Sequence, residues 1–272
     1  MNKHFIIFTD LDGTLLDSHY SFRKAKPALK QIKEKDIPLL VCSSKTRPEI
    51  EHYRKKLHND HPFISENGGG IFIPKKSEVK IQKSGFNIEE SNNCFVIRLG
   101  ASYDDLRGAL KELHSEGFII RGFGDMSVKA VSELTGLKMS EARLAKKREF
   151  DEPFVFKGRG SSVSRLKRRI KAKGFNYTEG EFFHIMGDSD KGRAVDIMKK
   201  LYTRQYKKIV TIALGDSPND IEMLQKVDYP IVVQKGDGSF HPQVLRKVKS
   251  IIKADGIGPE GWNRALINLL KL

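Results

Sequence analysis

The stretch Phe5–Leu16, FIIFTDLDGTLL, decides how the rest of the chain is read. Phe5, Ile6, Ile7 and Phe8 form a short apolar run that stops at Thr9-Asp10-Leu11-Asp12-Gly13-Thr14. An apolar run ended by a turn signal predicts a buried parallel strand. Carboxylates just past the carboxyl end of such a strand sit where open α/β sheets bind ligands. Asp10 and Asp12 are two apart, so an extended backbone points both to one side. Two such acids repel, and they stay ionised most easily when a cation, a basic residue or hydrogen-bond donors hold them. Gly13 lets the chain turn sharply, and Thr14 adds a hydroxyl and a backbone N–H. Taken alone, the motif also suits a plain acidic turn.

Outward from this stretch, Arg23–Lys35 reads as an amphipathic helix with Ala25, Leu29 and Ile32 on its apolar side. Ile37–Cys42 is a second buried strand, and it ends at Ser43-Ser44-Lys45-Thr46-Arg47. A helix follows from Pro48 to about Leu57. Strand, helix, strand, helix is the pattern of a parallel sheet. Hydroxyls with Lys45 and Arg47 at a helix start suit an oxyanion site, or a helix cap on an exposed basic turn. Pro62–Ile73 reads as a strand, a glycine-rich turn carrying Glu66 and Asn67, and a hairpin partner. The three glycines of that turn predict positive φ.

The same pattern returns near the other end. Asp188–Gly192 precedes a helix over Arg193–Tyr202. Ile209–Leu214 is a buried strand ending in Gly215-Asp216-Ser217-Pro218-Asn219-Asp220, with a helix over Ile221–Lys226 and a strand over Tyr229–Val233. The tail carries Gly258-Pro259-Glu260-Gly261-Trp262 and a closing helix, Asn263–Leu272.

Between these halves the character changes at about Ser84. Strands at Cys94–Leu99, Phe118–Gly122, Phe154–Lys157 and Phe182–Met186 alternate with helices at Tyr103–Glu116, Ser127–Thr135, Ser140–Lys147 and Ser161–Lys173. None of these strands ends in acids. We read a separate α+β module inserted into the first domain. The expected division is a core over 1–83 and 187–272, with the module over 84–186.

Length and composition fit this organisation. The chain of 272 residues is long enough for one large domain or two ordinary ones. A net charge of +15 suits attraction of anionic small molecules as well as nucleic acid. Much of the excess lies in Lys24–Lys35, Lys138–Lys147 and Arg165–Lys173, where the spacing is that of a solvated helix face. No zinc-finger, homeodomain or RNA-recognition signature accompanies it, so no nucleic-acid partner is expected. Cys42 and Cys94 make no disulfide framework. No apolar run is long enough to span a bilayer and the first strand starts at once, so a cytoplasmic protein without a membrane partner is expected. The oligomeric state is not legible.

Asp216 and Asp220 form a second acidic cluster at a second strand end. Together with Asp10 and Asp12 they could surround one hard cation, and carboxylate ligation beside an anionic substrate favours Mg²⁺. A hydroxyl and basic strand end lies between the two clusters in sequence, and a lysine at a helix start precedes the second. A nucleophile, a cation and donors around the equatorial oxygens are what phosphoryl transfer requires.

The order DLDGT, Ser43, Lys191, GDSPND resembles the four motifs of the haloacid dehalogenase superfamily. The resemblance implies a Rossmann-like α/β core of parallel strands with an inserted α+β cap. It also implies an aspartyl-phosphate mechanism, with Asp10 as nucleophile and Asp12 as general acid and base. Ser43 and Lys191 would hold the phosphoryl group. Asp10, the Asp12 backbone carbonyl and Asp216 would hold Mg²⁺, supported by Asp220 and Asn219. CSSKTRPEI, PFISENGGGIFIP, SDKGRAV, ALGDSPND and GPEGW together resemble the mannosyl-3-phosphoglycerate phosphatase family. That narrower resemblance implies a small phosphorylated sugar-acid substrate and a large lid. Ser-Ser-Lys-Thr is longer than the superfamily's Thr-Gly-Arg version, which leaves Ser43 and Ser44 as competing phosphoryl-binding hydroxyls. Lys45, Arg47, Glu66 and Asn67 are expected to touch substrate from the core, and Arg148, Arg159, Ser161 and Ser162 from the lid. Competing readings are a related phosphatase, such as one acting on glucosyl-3-phosphoglycerate, a sugar phosphomutase on the same scaffold, and, more remotely, a non-catalytic basic nucleic-acid-binding protein.

Overall fold

The computed structural model describes residues 4–81, 86–91, 93–180 and 182–271. Its strands are β1 (His4–Thr9), β2 (Leu39–Cys42), β3 (Phe63–Ser65), β4 (Gly70–Pro74), β5 (Glu89–Glu90), β6 (Cys94–Arg98), β7 (Ile120–Gly122), β8 (Asp151–Phe156), β9 (Asn176–Glu179), β10 (Phe183–Met186), β11 (Ile209–Gly215), β12 (Tyr229–Gln234) and β13 (Ile252–Ile257). The helices are α1 (Lys26–Glu34), α2 (Arg47–Leu57), α3 (Tyr103–Ser115), α4 (Val128–Thr135), α5 (Met139–Ala145), α6 (Ser161–Ala172), α7 (Lys191–Tyr206), α8 (Ile221–Leu224), α9 (Pro242–Lys247) and α10 (Pro259–Leu270).

Among the described residues the large sheet has the order β13-β12-β11-β1-β2-β3-β4-β6-β5. Pairing is parallel from β13 to β3 and antiparallel from there to β5. β1 lies between β11 and β2, so both its edges are paired, and residues of the flanking helices cover both its faces. Ile7 packs with Ala28, Ile32 and Trp262 on one side, and Ile6 and Phe8 pack with Ala194, Met198 and Leu201 on the other. That double burial is why the strand reads as an unbroken apolar run.

The second sheet, β7-β8-β10-β9, is wholly antiparallel. Leu106, Leu110 and Leu113 of α3 and Leu166 and Ile170 of α6 bury Phe154 and Ile185. A separate cluster of Phe123, Met126, Val131, Ala142 and Ala145 packs against Val155 and Phe182.

The structure moves the start of the inserted module. The expected boundary between 83 and 84 lies outside the described residues, but β6 was assigned to the module and belongs to the large sheet. It pairs with β4 along its whole length, from Gly70↔Arg98 to Pro74↔Cys94. The module therefore begins after Arg98, at the turn before α3. Its own sheet contains two segments that the sequence hid. β8 starts at Asp151 rather than Phe154, although Asp151, Glu152 and Pro153 are poor strand formers. β9 falls between the expected helix at Ser161–Lys173 and the expected strand at Phe182–Met186, where no element is expected.

The hairpin between β3 and β4 forms as expected, with Ser65 opposite Gly70. Only Gly68 of its three glycines meets the expectation of positive φ. Positive φ falls on Glu66, Asn67 and Gly68. Gly69 and Gly70 have no such backbone; a Cβ on either would lie within 2.5 Å of the Phe150 side chain. The small residues let a segment of the inserted module press onto the core hairpin.

Candidate active site

Asp10 and Asp216 follow neighbouring strands whose ends are in register, Thr9 opposite Leu214. The Asp10 N–H donates to the Leu214 carbonyl at 3.0 Å. One carboxylate oxygen each from Asp10, Asp216 and Asp220 lies within 4.8 Å of the others. Lys191 is the first residue of α7, two residues earlier than the sequence placed the helix start, with Asp190 capping the helix through the Arg193 N–H. Its buried Nζ donates to Asp10 at 2.7 Å and to Asp220 at 2.6 Å. Asp220 also accepts the backbone N–H groups of Asp216 and Ser217 at 3.1 and 3.2 Å. Thr14 donates its hydroxyl to Asp216 at 3.1 Å.

Three carboxylates thus converge, and two of them, Asp10 and Asp220, share one ammonium. Burial pushes Asp10 well above the ordinary carboxylate range, Lys191 pulls against it, and Asp220, Asp216 and Asp12 push with it. Asp216 is raised to about 7, by burial first and Asp220 second. Burial opposes the Lys191 charge, but Asp10 and Asp220 outweigh it and hold the ammonium above its usual range. Converging oxygens with excess negative charge and no nitrogen or sulfur donor fit a hard divalent cation. Gly13 keeps the space open: it has φ +72°, and a Cβ there would sit 2.8 Å from an Asp216 oxygen.

The Asp12 side chain stands outside this trio. It is 42% exposed and pairs with Lys45 at 3.0 Å. Lys45 is buried, 3.6 Å from Glu49, with its ammonium over the rings of Tyr20 and Tyr53. Burial works against its charge, yet Asp12 and Glu49 raise it above the ordinary lysine range. The helix-cap reading of this turn holds in part. Thr46 caps α2 in a reciprocal box with Glu49, but the turn is buried rather than exposed, with Ser43 and Thr46 fully covered. The Ser43 hydroxyl accepts the Lys45 N–H at 3.2 Å, and the Ser44 carbonyl accepts from Arg148 at 2.9 Å. Arg47 pairs with Glu51 at 2.9 Å and lies over the Phe72 ring.

Glu66 and Asn67 are buried, and Arg148 is buried with them. The Glu66 carboxylate accepts the backbone N–H groups of Glu149, Phe150 and Asp151 at 3.0, 2.7 and 2.9 Å. Arg148 lies 3.6 Å from Glu66 and is also paired with Asp151. Burial drives the Glu66 carboxyl up to about 8 against the pull of Arg148. Asn67 donates to Asp151 at 3.1 Å and accepts from Asn219 at 3.1 Å. Glu66 and Arg148, expected to face substrate, are turned toward each other. Among the described residues no hydrogen bond or ion pair joins Arg159, Ser161 or Ser162 to the core; Ser162 donates to the Arg159 carbonyl at the start of α6.

Sequence reasoning missed Glu49, Asp151 and His184, whose Nδ1 lies 3.0 Å from Asp151. It also left the tail motif without a place. Trp262 is fully buried and donates its indole N–H to the Thr9 hydroxyl at 2.9 Å, fixing α10 against the end of β1.

The haloacid dehalogenase-like hydrolase family matches residues 7–100 and 141–257. The chain belongs to that family. A glucosyl-3-phosphoglycerate/mannosyl-3-phosphoglycerate phosphatase from Methanococcoides burtonii is 48% identical, over 98% of this chain and 97% of its own. A phosphatase of the same description from Persephonella marina is 41% identical, over 97% of each chain. The structure of a haloacid dehalogenase-like hydrolase from B. subtilis superposes with a TM-score of 0.66 at 15% identity, over 98% of this chain and 99% of the other. The chemistry that follows from this membership is that of a phosphoric monoester hydrolase. No helix among the described residues is long and apolar enough to cross a membrane.

Proposed function

We propose that this phosphatase hydrolyses mannosyl-3-phosphoglycerate and glucosyl-3-phosphoglycerate through an aspartyl phosphate on Asp10, with Mg²⁺ held by Asp10, Asp216 and Asp220 and by the Asp12 backbone carbonyl. The buried excess of carboxylates over Lys191 carries the catalytic part of this reading. Its substrate part rests on the full-length similarity to phosphatases named for both esters.

In the first step an Asp10 oxygen attacks phosphorus in line and the bond from phosphorus to the ester oxygen breaks. Asp12, as general acid, delivers a proton to the leaving oxygen. In the second step Asp12 takes a proton from water, whose oxygen attacks the same phosphorus and releases phosphate and free Asp10. Bound Mg²⁺ supplies charge neutralisation at the phosphoryl oxygens. Lys191 and Ser43 hold those oxygens, and Lys45, 3.0 Å from Asp12, orients the acid that moves the proton. Ser44 and Arg47 are candidate further contacts, and the inserted module serves as a lid that selects the glycosyl group. Arg159, Ser161 and Ser162 are its candidate contacts.

The test is release of inorganic phosphate from both glycosyl esters and from 3-phosphoglycerate, in the presence of Mg²⁺. Both glycosyl esters should be turned over well and the small ester poorly. Transfer of the phosphoryl group back to a sugar without net release would sink the reading in favour of a mutase.

A further inference from the structure

We infer that Asn67 is a positioning residue that ties docking of the inserted module to cation binding at the acidic loop. The inference rests on the metal reading proposed above. Asn67 is the only side chain among the described residues that hydrogen-bonds both to the module and to the loop carrying Asp216 and Asp220. Its amide oxygen accepts from Asn219, one residue before Asp220, and its amide nitrogen donates to Asp151, the first residue of β8.

Each end of this bridge is fixed by other bonds. The Ser217 hydroxyl donates to the Asn219 side-chain oxygen, which turns the Asn219 amide nitrogen toward Asn67. Asp220 gathers the N–H groups of Asp216 and Ser217, so the loop moves as one piece. On the module side, Asp151 is held by Arg148 and His184, and the segment 149–151 is clamped by Glu66. The Thr46 hydroxyl donates to the Leu144 carbonyl at 3.1 Å, and Arg148 donates to Ser44, so the docked segment also touches the turn behind Ser43.

The backbone at the bridge lies in the left-handed region, with φ +49° at Glu66 and +54° at Asn67. A non-glycine residue there persists when surrounding contacts over-determine it. Asparagine is among the few side chains that tolerate this conformation, and it offers both a donor and an acceptor. Aspartate at this position would accept from Asn219 but would confront Asp151 with a second carboxylate. Glycine would keep the backbone and remove both bonds.

If docking and cation binding share this bridge, each must favour the other by the same factor. The measurements are Mg²⁺ binding by calorimetry, and hydrogen exchange of the Glu149, Phe150 and Asp151 amides with and without Mg²⁺. In the wild type, Mg²⁺ should slow exchange of those three amides. In Asn67→Gly and Asn67→Asp, Mg²⁺ affinity should fall about tenfold, the usual scale for losing a group that orients metal ligands. The Mg²⁺-dependent protection should disappear in both, while exchange in β1 and β11 stays as in the wild type. Mg²⁺ binding to both variants with wild-type affinity and wild-type protection would overturn the inference alone. A wild type that binds no Mg²⁺ would overturn the metal reading and the inference with it.

Discussion

Two buried clusters of carboxylates stand close together in this molecule, and they are neutralised in opposite ways. At the hairpin, Glu66 and Asp151 face Arg148, three backbone N–H groups, His184 and Asn67. Burial raises Asp151, but Arg148 and then His184 outweigh it and hold the carboxyl below its ordinary range. At the strand ends, Asp10 and Asp220 share Lys191 while Asp216 lies beside them and accepts from Thr14, and both Asp10 and Asp216 are pushed up. Burial drives Glu66 up to about 8 here as well, but every carboxylate of the hairpin cluster meets donors of the protein's own. The strand-end cluster stays neutral only by holding protons, which a divalent cation can replace. The same residue type therefore makes a clamp in one place and the proposed reaction centre in the other.

Asp10→Asn gives the largest expected effect, because it removes the proposed nucleophile and leaves the other acids in place. Phosphate release should drop by about 10⁴-fold or more, with the thermal midpoint unchanged or higher, since a raised carboxyl has been replaced by a neutral group.

Lys191→Met comes next. Removing one preorganised charge donor to a developing anion typically costs about 10²- to 10³-fold, and kcat with mannosyl-3-phosphoglycerate should fall within that range. The variant also strips the acids of their common partner, so Mg²⁺ should stabilise it more than it stabilises the wild type in thermal melts.

Arg148→Met turns the comparison round. Loss of one partner of a buried ion pair costs about 3–5 kcal/mol, and urea unfolding should show a loss of that order. The folded fraction should keep the phosphoryl-transfer step within about tenfold of the wild type. A loss of kcat as large as that of Lys191→Met, in protein that is fully folded, would merge the two clusters into one function.

The smallest effect concerns pH. Asp216 has its folded pKa raised from 3.8 to about 7. Its contribution to stability is fully present below 3.8 and is lost as pH rises through about 7. Mg²⁺ replaces the lost proton, so the rise in thermal midpoint on adding Mg²⁺ should grow between those values and level off above them. A rise independent of pH would separate Asp216 from the cation.

The strand-end cluster was legible because each member sits at a point where apolar runs stop: Asp10 after FIIF, and Asp216 and Asp220 after IVTIAL. Local pattern alone locates such residues. The hairpin clamp was not legible, because its partners lie far apart along the chain and nothing near Glu66 or Asp151 announces the other. Glu66 therefore reads as a turn residue facing substrate. The start of β8 was hidden by two acids and a proline. Asp151 is buried by Arg148 and His184, Glu152 by Arg107 and Tyr103, and Pro153 lies opposite His184 in the ladder. Tertiary pairing there overrides strand propensity. The start of α7 was shifted because Gly192 reads as loop, whereas it allows close approach to the Glu222 carbonyl.

The most direct test is phosphate release from mannosyl-3-phosphoglycerate by exhaustively chelated enzyme, as Mg²⁺ is titrated back. If the strand-end carboxylates need an external cation and the hairpin carboxylates do not, release should be at the blank rate without metal and rise along one saturating curve, with the protein folded throughout. Full turnover by the chelated enzyme would contradict the account.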